Sequence, residues 1–494
     1  MSRPRGGGRK SDGEDEMNHS AAEQRPEQDL TEYRARYVWS AGGWEERASV
    51  WVRGGQVIAV GDLEARPERY RSVDLGEVAL VPGQINAHSH AFQRVMRGAA
   101  ERRDPERPND NFWTWREAMY GLALSLSAEE VEAAARLAFW EMARAGITQV
   151  GEFHYVHHRP DGQAYEDPNE LAHRVIQAAQ AVGIRIALLR VAYHSGDIGQ
   201  PASPRQRRFI EPDVQTYLER LSALEARWGE VDKVSLGAAP HSIRAVDRSW
   251  VEAIADHCRS RDLVTHIHVC EQPAEIDAAR RAYGMGPVEA LHAWAGLDAR
   301  WTLVHATHLN EREHAIVAET RPTVCACPTT ERNLGDGFLP ARRLIADAVP
   351  VALGSDSHTV IDPWEELRLV EYHERLRAQA RNVLPAHAPG AQMSTAAVLW
   401  PMGTTWGGRA LGRALSGCIE AGEPADFVAL DLGDPGLWGA EPQTLLDHMV
   451  LSMSASAVRH TIVAGELVIE DRRHVDEDAL LAPARDFLAR RRAR

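Results

Sequence analysis

His88-Ser89-His90, set directly behind the apolar run Val78-Ala79-Leu80-Val81-Pro82-Gly83, pairs two imidazoles at the end of an expected buried strand. Residues i and i+2 of a strand share a face, so both rings can grip one ion. Three later apolar runs end the same way: Leu263 to Val269 carries His268 and leads to Cys270-Glu271, Trp301 to Val304 ends on His305, and Val349 to Leu353 leads to Gly354-Ser355-Asp356. Three neutral imidazoles (His88, His90, His268) and one carboxylate (Asp356) suit Zn²⁺ or a similar divalent ion with a position left for water. Water acidified in that way becomes a nucleophile near neutral pH. Glu271, just past His268, is placed to hand a proton to a leaving nitrogen, and His305 to help Asp356 orient and deprotonate the water. His154, His157, His158, His308 and His358 are read as pocket lining or surface, and His266 as packing one pleat below His268.

Such residues need a scaffold that brings distant strand ends together. Strand-like runs at 147–153, 184–191, 234–239 and 323–326 alternate with helical ones and complete a set of eight with the four above. Ser127-Ala128-Glu129-Glu130 reads as a capping box opening a helix that Gly146 terminates. Repeated β-then-α units imply a parallel sheet, and eight of them suit a closed (β/α)₈ barrel, an α/β fold whose working residues sit at the C-terminal strand ends. Alternating segments at 34–39 and 48–60, with a Gly54-Gly55 turn, match others at 425–430 and 460–469, so the two chain ends are expected to meet in a small β-sandwich. The expected layout is a disordered extension over 1–30, a composite β domain from 31–80 and 415–472, the barrel over 81–414 and a C-terminal helix or tail over 473–494. Met17 is an alternative start.

Bulk properties narrow the class. The chain has 494 residues, is 44% hydrophobic and carries a formal charge of −15, which argues against a general nucleic-acid binder. Lysine occurs only at Lys10 and Lys233, so arginine supplies nearly all positive charge. Five scattered cysteines do not form a disulfide framework, and Cys325-Ala326-Cys327 reads as core or pocket wall. No segment is apolar and long enough to span a bilayer, and a reducing cytoplasm is the expected compartment.

Taken together, His88-Ser89-His90, His268 with Glu271, His305 and Asp356 resemble the amidohydrolase superfamily. That resemblance implies a distorted TIM-like barrel, bound zinc and deamination chemistry. Many members bridge two metals with a carboxylated lysine after the fourth strand. Here that strand leads into Pro240-His241 and Lys233 sits at its other end, so the match is to the one-metal, deaminase-like branch. Within it, Asn86 to Arg94, Phe112-Trp113-Thr114-Trp115-Arg116, Gly151 to Tyr155, Pro240 to Arg244 and Cys327 to Gly337 resemble the formimidoylglutamate deiminases. The resemblance implies hydrolysis of N-formimino-L-glutamate to N-formyl-L-glutamate and ammonia in histidine degradation, with one zinc per subunit of a homodimer. Arginine forks match carboxylates bidentately, so Arg116 and Arg244 are the expected partners of this dicarboxylate, with Gln93, Tyr155 and His241 adding hydrogen bonds. A deaminase of the same superfamily acting on a purine, pyrimidine or triazine is the rival reading.

Overall fold

The computed structural model describes residues 30–63, 68–102, 109–390 and 393–492. The expected extension over 1–30, including Met17, lies outside the described residues except for Leu30. Eight parallel strands form one sheet: β1 (Gln84–Ser89), β2 (Ile147–His154), β3 (Arg185–Ala192), β4 (Val234–Pro240), β5 (Val264–Val269), β6 (Trp301–His305), β7 (Thr323–Ala326) and β8 (Val351–Leu353). They are ordered around the sheet as in the chain. β8 returns to β1 through a bridge between Ser89 and Asp356, in which the Asp356 amide donates to the His88 carbonyl at 3.0 Å and the His90 amide to the Asp356 carbonyl at 3.2 Å. The same two backbone bonds that close the barrel therefore set three of the four expected ligands side by side. Apolar side chains dominate both faces of these strands, as parallel strands covered by helices require.

The helix Ala128–Arg144 behind β1 and β2 is opened by the reciprocal Ser127/Glu130 cap and ends at Gly146, whose φ of 88° lies in the left-handed region. The C-terminal helix Glu477–Arg492 packs Leu481 and Ala484 onto its residues Ala133 and Leu137.

Both chain ends contribute to a second, nine-stranded sheet, mostly antiparallel. Leu30–Ser40, Gly43–Arg53 and Gln56–Val60 form its N-terminal meander, and Phe427–Asp431, Val458–Val463, Glu466–Glu470 and Arg473–His474 its C-terminal one. Gly54 and Gly55 take the positive φ values (56° and 76°) of a tight hairpin turn. The seam between the halves is Val78–Pro82, paired with Phe427–Asp431 on one side and Tyr37–Val38 on the other.

That seam corrects one expectation. The apolar run 78–83 is not the strand that carries the histidine pair. It belongs to the terminal sheet, and the barrel strand starts afresh at Gln84. Gly83 marks the break: a Cβ there would stand 2.2 Å from the Thr148 side chain, so only glycine lets the chain pass this close to β2.

Candidate active site

Three imidazoles and one carboxylate converge at the C-terminal mouth of the barrel. His88 Nε2 stands 3.2 Å from His90 Nε2 and 3.1 Å from His268 Nε2, while Asp356 Oδ1 lies 3.4 Å from His88 Nε2 and 3.1 Å from His90 Nε2. All four ligand atoms fall within 4.8 Å of one another. Ligand atoms about 2.0–2.1 Å from a tetrahedral ion stand about 3.3 Å apart, so this spacing fits a single divalent cation. Three ring nitrogens turned toward one point make poor hydrogen-bond partners for each other but a good ligand set. The rings are held from behind, His90 Nδ1 by the Phe153 carbonyl at 3.0 Å and His268 Nδ1 by the His241 carbonyl at 3.2 Å, which presents Nε2 inward in both. Burial pushes His88 down to about 3 and His268 well below the usual histidine range, so both are neutral and ready to ligate. Burial alone would raise Asp356, but the hydrogen bonds of His88 and His90 overcome it and hold the carboxylate well below its ordinary range.

A second layer fixes the strand ends. Ser89, between the two histidines, donates to Glu152 and contacts His358 Nε2 at 3.1 Å, while His358 Nδ1 meets Ser355 Oγ at 3.0 Å. The Ala91 amide also donates to Glu152, at 2.8 Å. His358 is thus buried in the closure of the barrel rather than at its surface. Asp356 (φ 46°), His358 (φ 60°) and His305 (φ 70°) all occupy the left-handed region, a conformation that costs non-glycine residues energy and that the surrounding bonds sustain.

The residues expected to handle protons adjoin this cluster. His305 Nε2 lies 3.6 Å from Glu271 Oε1 and 3.9 Å from Asp356 Oδ2, and its Nδ1 lies 3.4 Å from Glu331 Oε1. Burial opposes a charge on His305, yet Glu271 and Glu331 raise its affinity for a proton well above normal. Burial also raises Glu271, with His305 and Arg244 pulling the other way. Sequence reasoning missed Glu331, which lies on a short helix beyond β7 and reaches His305 only through the fold. Cys327, His305 and Glu331 form a further donor group, but burial keeps the Cys327 thiol well above its usual range and therefore protonated, a poor ligand state. Cys325 and Cys327 are both fully buried wall, as expected.

A cleft partly open to solvent leads from the ligand cluster outward. His90, His268, Glu271, His305 and Asp356 line its inner end, joined by every residue expected to bind substrate: Gln93, Arg116, Tyr155, His241 and Arg244. Helix Phe112–Ser125, capped by Asn111, supplies one wall by turning Phe112, Trp115, Arg116, Met119 and Tyr120 to the cleft. The Arg116 guanidinium lies 4.4 Å from the Trp113 ring centroid and that of Arg244 5.9 Å from it, so both cations adjoin one indole. Arg244 approaches Glu271 at 3.8 Å, whereas Arg116 has no carboxylate partner among the described residues. Gln93 donates to the Tyr155 hydroxyl at 2.7 Å. Burial and the nearby Arg244 hold His241 neutral.

Three expected wall or surface histidines lie elsewhere. His154, His157 and His158 are buried away from the cleft, and burial first, then the nearby Arg190, opposes their protonation. His154 lies between Phe153 and Tyr155, and strand alternation turns it away from the cleft. His308 binds the Asp336 carbonyl at 2.7 Å, and His266 packs in the barrel against the Ala410 carbonyl at 2.7 Å. Tyr120, Tyr193 and Leu334 also line the cleft and carried no periodic signal that would have marked them.

The amidohydrolase family model matches residues 79–468. The chain belongs to the amidohydrolase family. It is 42% identical over 442 residues to a formimidoylglutamate deiminase of Pseudomonas aeruginosa, covering 88% of this chain and 94% of that one. A 5-methylthioadenosine/S-adenosylhomocysteine deaminase of Nitratidesulfovibrio vulgaris is 28% identical, covering 89% and 92%. Among solved structures, an amidohydrolase from Brucella melitensis superposes with a TM-score of 0.83 at 33% identity, covering 93% of this chain and 99% of that one. An adenosine deaminase from Xanthomonas campestris with bound zinc gives 0.79 at 25%, covering 95% and 100%. A metal-binding His/Asp cluster on an α/β barrel, in a hydrolase of this family, follows from fold and relatives together.

Proposed function

We propose that this amidohydrolase hydrolyses N-formimino-L-glutamate to N-formyl-L-glutamate and ammonia. The observation that carries this reading is the pair of arginines, Arg116 and Arg244, facing a cleft that ends on the ligand cluster. A substrate with two carboxylates needs two cationic partners, whereas a flat heterocycle needs neither. The relative from P. aeruginosa supports the same substrate.

His88, His90, His268 and Asp356 hold the cation, proposed to be one zinc per subunit, which when bound supplies Lewis acidity to acidify water and polarise the formimino group. Arg116 and Arg244 fix the carboxylates, and Gln93, Tyr155 and His241 orient the chain between them. Asp356 takes the proton from the attacking water, which His305 helps to orient, and the water adds to the formimino carbon. Glu271 gives a proton to the nitrogen that leaves, and the C–N bond breaks as the carbonyl of the formyl product forms. The proximity of His305 to both Glu271 and Asp356 lets one proton pass from the water side to the leaving-group side. The resemblance further implies a homodimer, and the scattered free cysteines suit a reducing cytoplasm.

The test is ammonia release by purified protein from N-formimino-L-glutamate, adenosine and 5′-methylthioadenosine in parallel. Turnover of the first, at a kcat/KM at least a hundredfold above the others, is expected. Preference for either nucleoside would replace this reading with that of a heterocycle deaminase.

A further inference from the structure

Two tyrosine hydroxyls in the cleft are left with more protons than the described residues have acceptors for. Tyr120, on the same helix face as Arg116, and Tyr193, just past β3, are 2% and 4% exposed and both line the cleft. Behind them stands Gln206, on the short turn Pro204–Gln206. The orientation of its amide is set by Ser203, whose backbone N–H donates to Gln206 Oε1 at 2.8 Å. Gln206 Nε2 is therefore the donor to both phenols, at 2.8 Å to Tyr193 and 3.3 Å to Tyr120. The two phenol oxygens lie 3.4 Å apart, so one hydroxyl can donate to the other, but not both. At least one O–H has no acceptor among the described residues, and a buried donor without an acceptor is costly.

What that O–H faces is an anion-seeking environment. The Arg116 guanidinium lies 5.6 Å from the Tyr120 ring, and Arg244 shares the same wall. His241 stands between Tyr193 and the ligand His268, with ring centroids 4.6 Å and 4.8 Å away, which sets Tyr193 one side chain out from the reacting end. The third cleft tyrosine, Tyr155, differs: its oxygen accepts from Gln93 and its proton faces the Met119 sulfur at 3.7 Å. The turn that carries Gln206 is tied to the arginine-bearing helix by Arg205, which binds Glu117 at 2.8 Å.

We propose that Tyr120 and Tyr193, primed by Gln206, donate to the substrate carboxylate remote from the reacting formimino carbon and so select for a second carboxylate. This rests on the substrate reading above. Gln206 occupies a lone pair on each phenol, so at least one O–H is left to donate to an anion.

The experiment compares kcat/KM of wild type, Tyr120→Phe, Tyr193→Phe and the double variant on N-formimino-L-glutamate and on N-formimino-glycine, which lacks the remote carboxylate. Metal content and Tm serve as fold controls, and the single variants decide the matter if the double one misfolds. A charge-assisted hydrogen bond corresponds to a loss of about 10- to 100-fold. That loss is expected on the glutamate derivative, mainly in KM, with a several-fold smaller loss on the glycine derivative. Equal losses on both substrates, or none on either, overturn the proposal while leaving the substrate reading intact. If wild type does not act on N-formimino-L-glutamate, that reading falls, and calorimetric Kd values for glutarate decide the tyrosines separately. Weaker glutarate binding by the Phe variants sustains the hydroxyl pair as a carboxylate site, and unchanged or undetectable binding refutes it.

Discussion

Glu271 and His305 show how one residue's role depends on its neighbours. Glu271 is buried beside the ligand cluster, and burial favours its protonated form, the form needed to deliver a proton to a departing nitrogen. Glu271→Gln should retain the bound metal while ammonia release falls by on the order of 10²-fold or more. Near-normal turnover would remove Glu271 as the acid. Arg244→Ala should lower kcat/KM by roughly 10- to 1000-fold, the span of a lost charged contact. An unchanged kcat/KM would remove Arg244 from substrate recognition. Glu271 and His305 were legible because each closes an apolar run, and a run followed by a polar residue marks a strand end whatever the fold, whereas Arg244 was marked by the resemblance. Glu331, Tyr193 and Gln206 were not, because a two-turn helix, a strand exit and a short turn carry too little period to read and their partners lie far away in sequence. His154 illustrates the converse error: a histidine beside a site in sequence is turned to the other side of the sheet by a single residue's alternation.

Loops and strand ends set the precision of the site. The loops after β5 and β7 are joined by Gln272, which donates to Asp336, a buried carboxyl raised to about 9 by burial and by the nearby Glu271. An unfolded Asp ionises near pH 3.9, so the folded state holds the extra proton between about pH 4 and 9, and stability contributed by this group declines across that window as pH rises. Asp336→Asn, neutral at every pH, should therefore gain Tm relative to wild type progressively from pH 4 to 9, with the gap constant above. A gap independent of pH would show that Asp336 ionises normally. At the barrel closure, Glu152 ties Ser89 and Ala91 together around His90. Glu152→Leu should weaken metal binding by about 10- to 100-fold, as loss of support behind ligands does elsewhere, which a competitive chelator titration would measure. Seven of the eight barrel strands were readable as elements, but for the first the sequence points to the run 78–83 in place of Gln84–Ser89. A buried strand looks the same in either sheet, and only the packing of Gly83 against Thr148 separates them.

Across the whole molecule, the chain ends are far apart in sequence yet share one sheet, and the barrel between them brings residues from 88 to 356 onto a single point. Long-range closure of this kind makes the ligand cluster a reporter of the complete fold, since no element carries more than two of the four ligands. A cation bound only by the folded state stabilises it by mass action, so chelation should lower Tm as well as activity. The decisive measurement is stoichiometric: chelator-stripped protein is titrated with Zn²⁺ while ammonia release from N-formimino-L-glutamate is followed. The account predicts no activity without metal, a linear rise, and a sharp break at one equivalent per chain that is absent in His268→Ala. Full activity in the stripped protein, or a rise continuing to two equivalents, would contradict it.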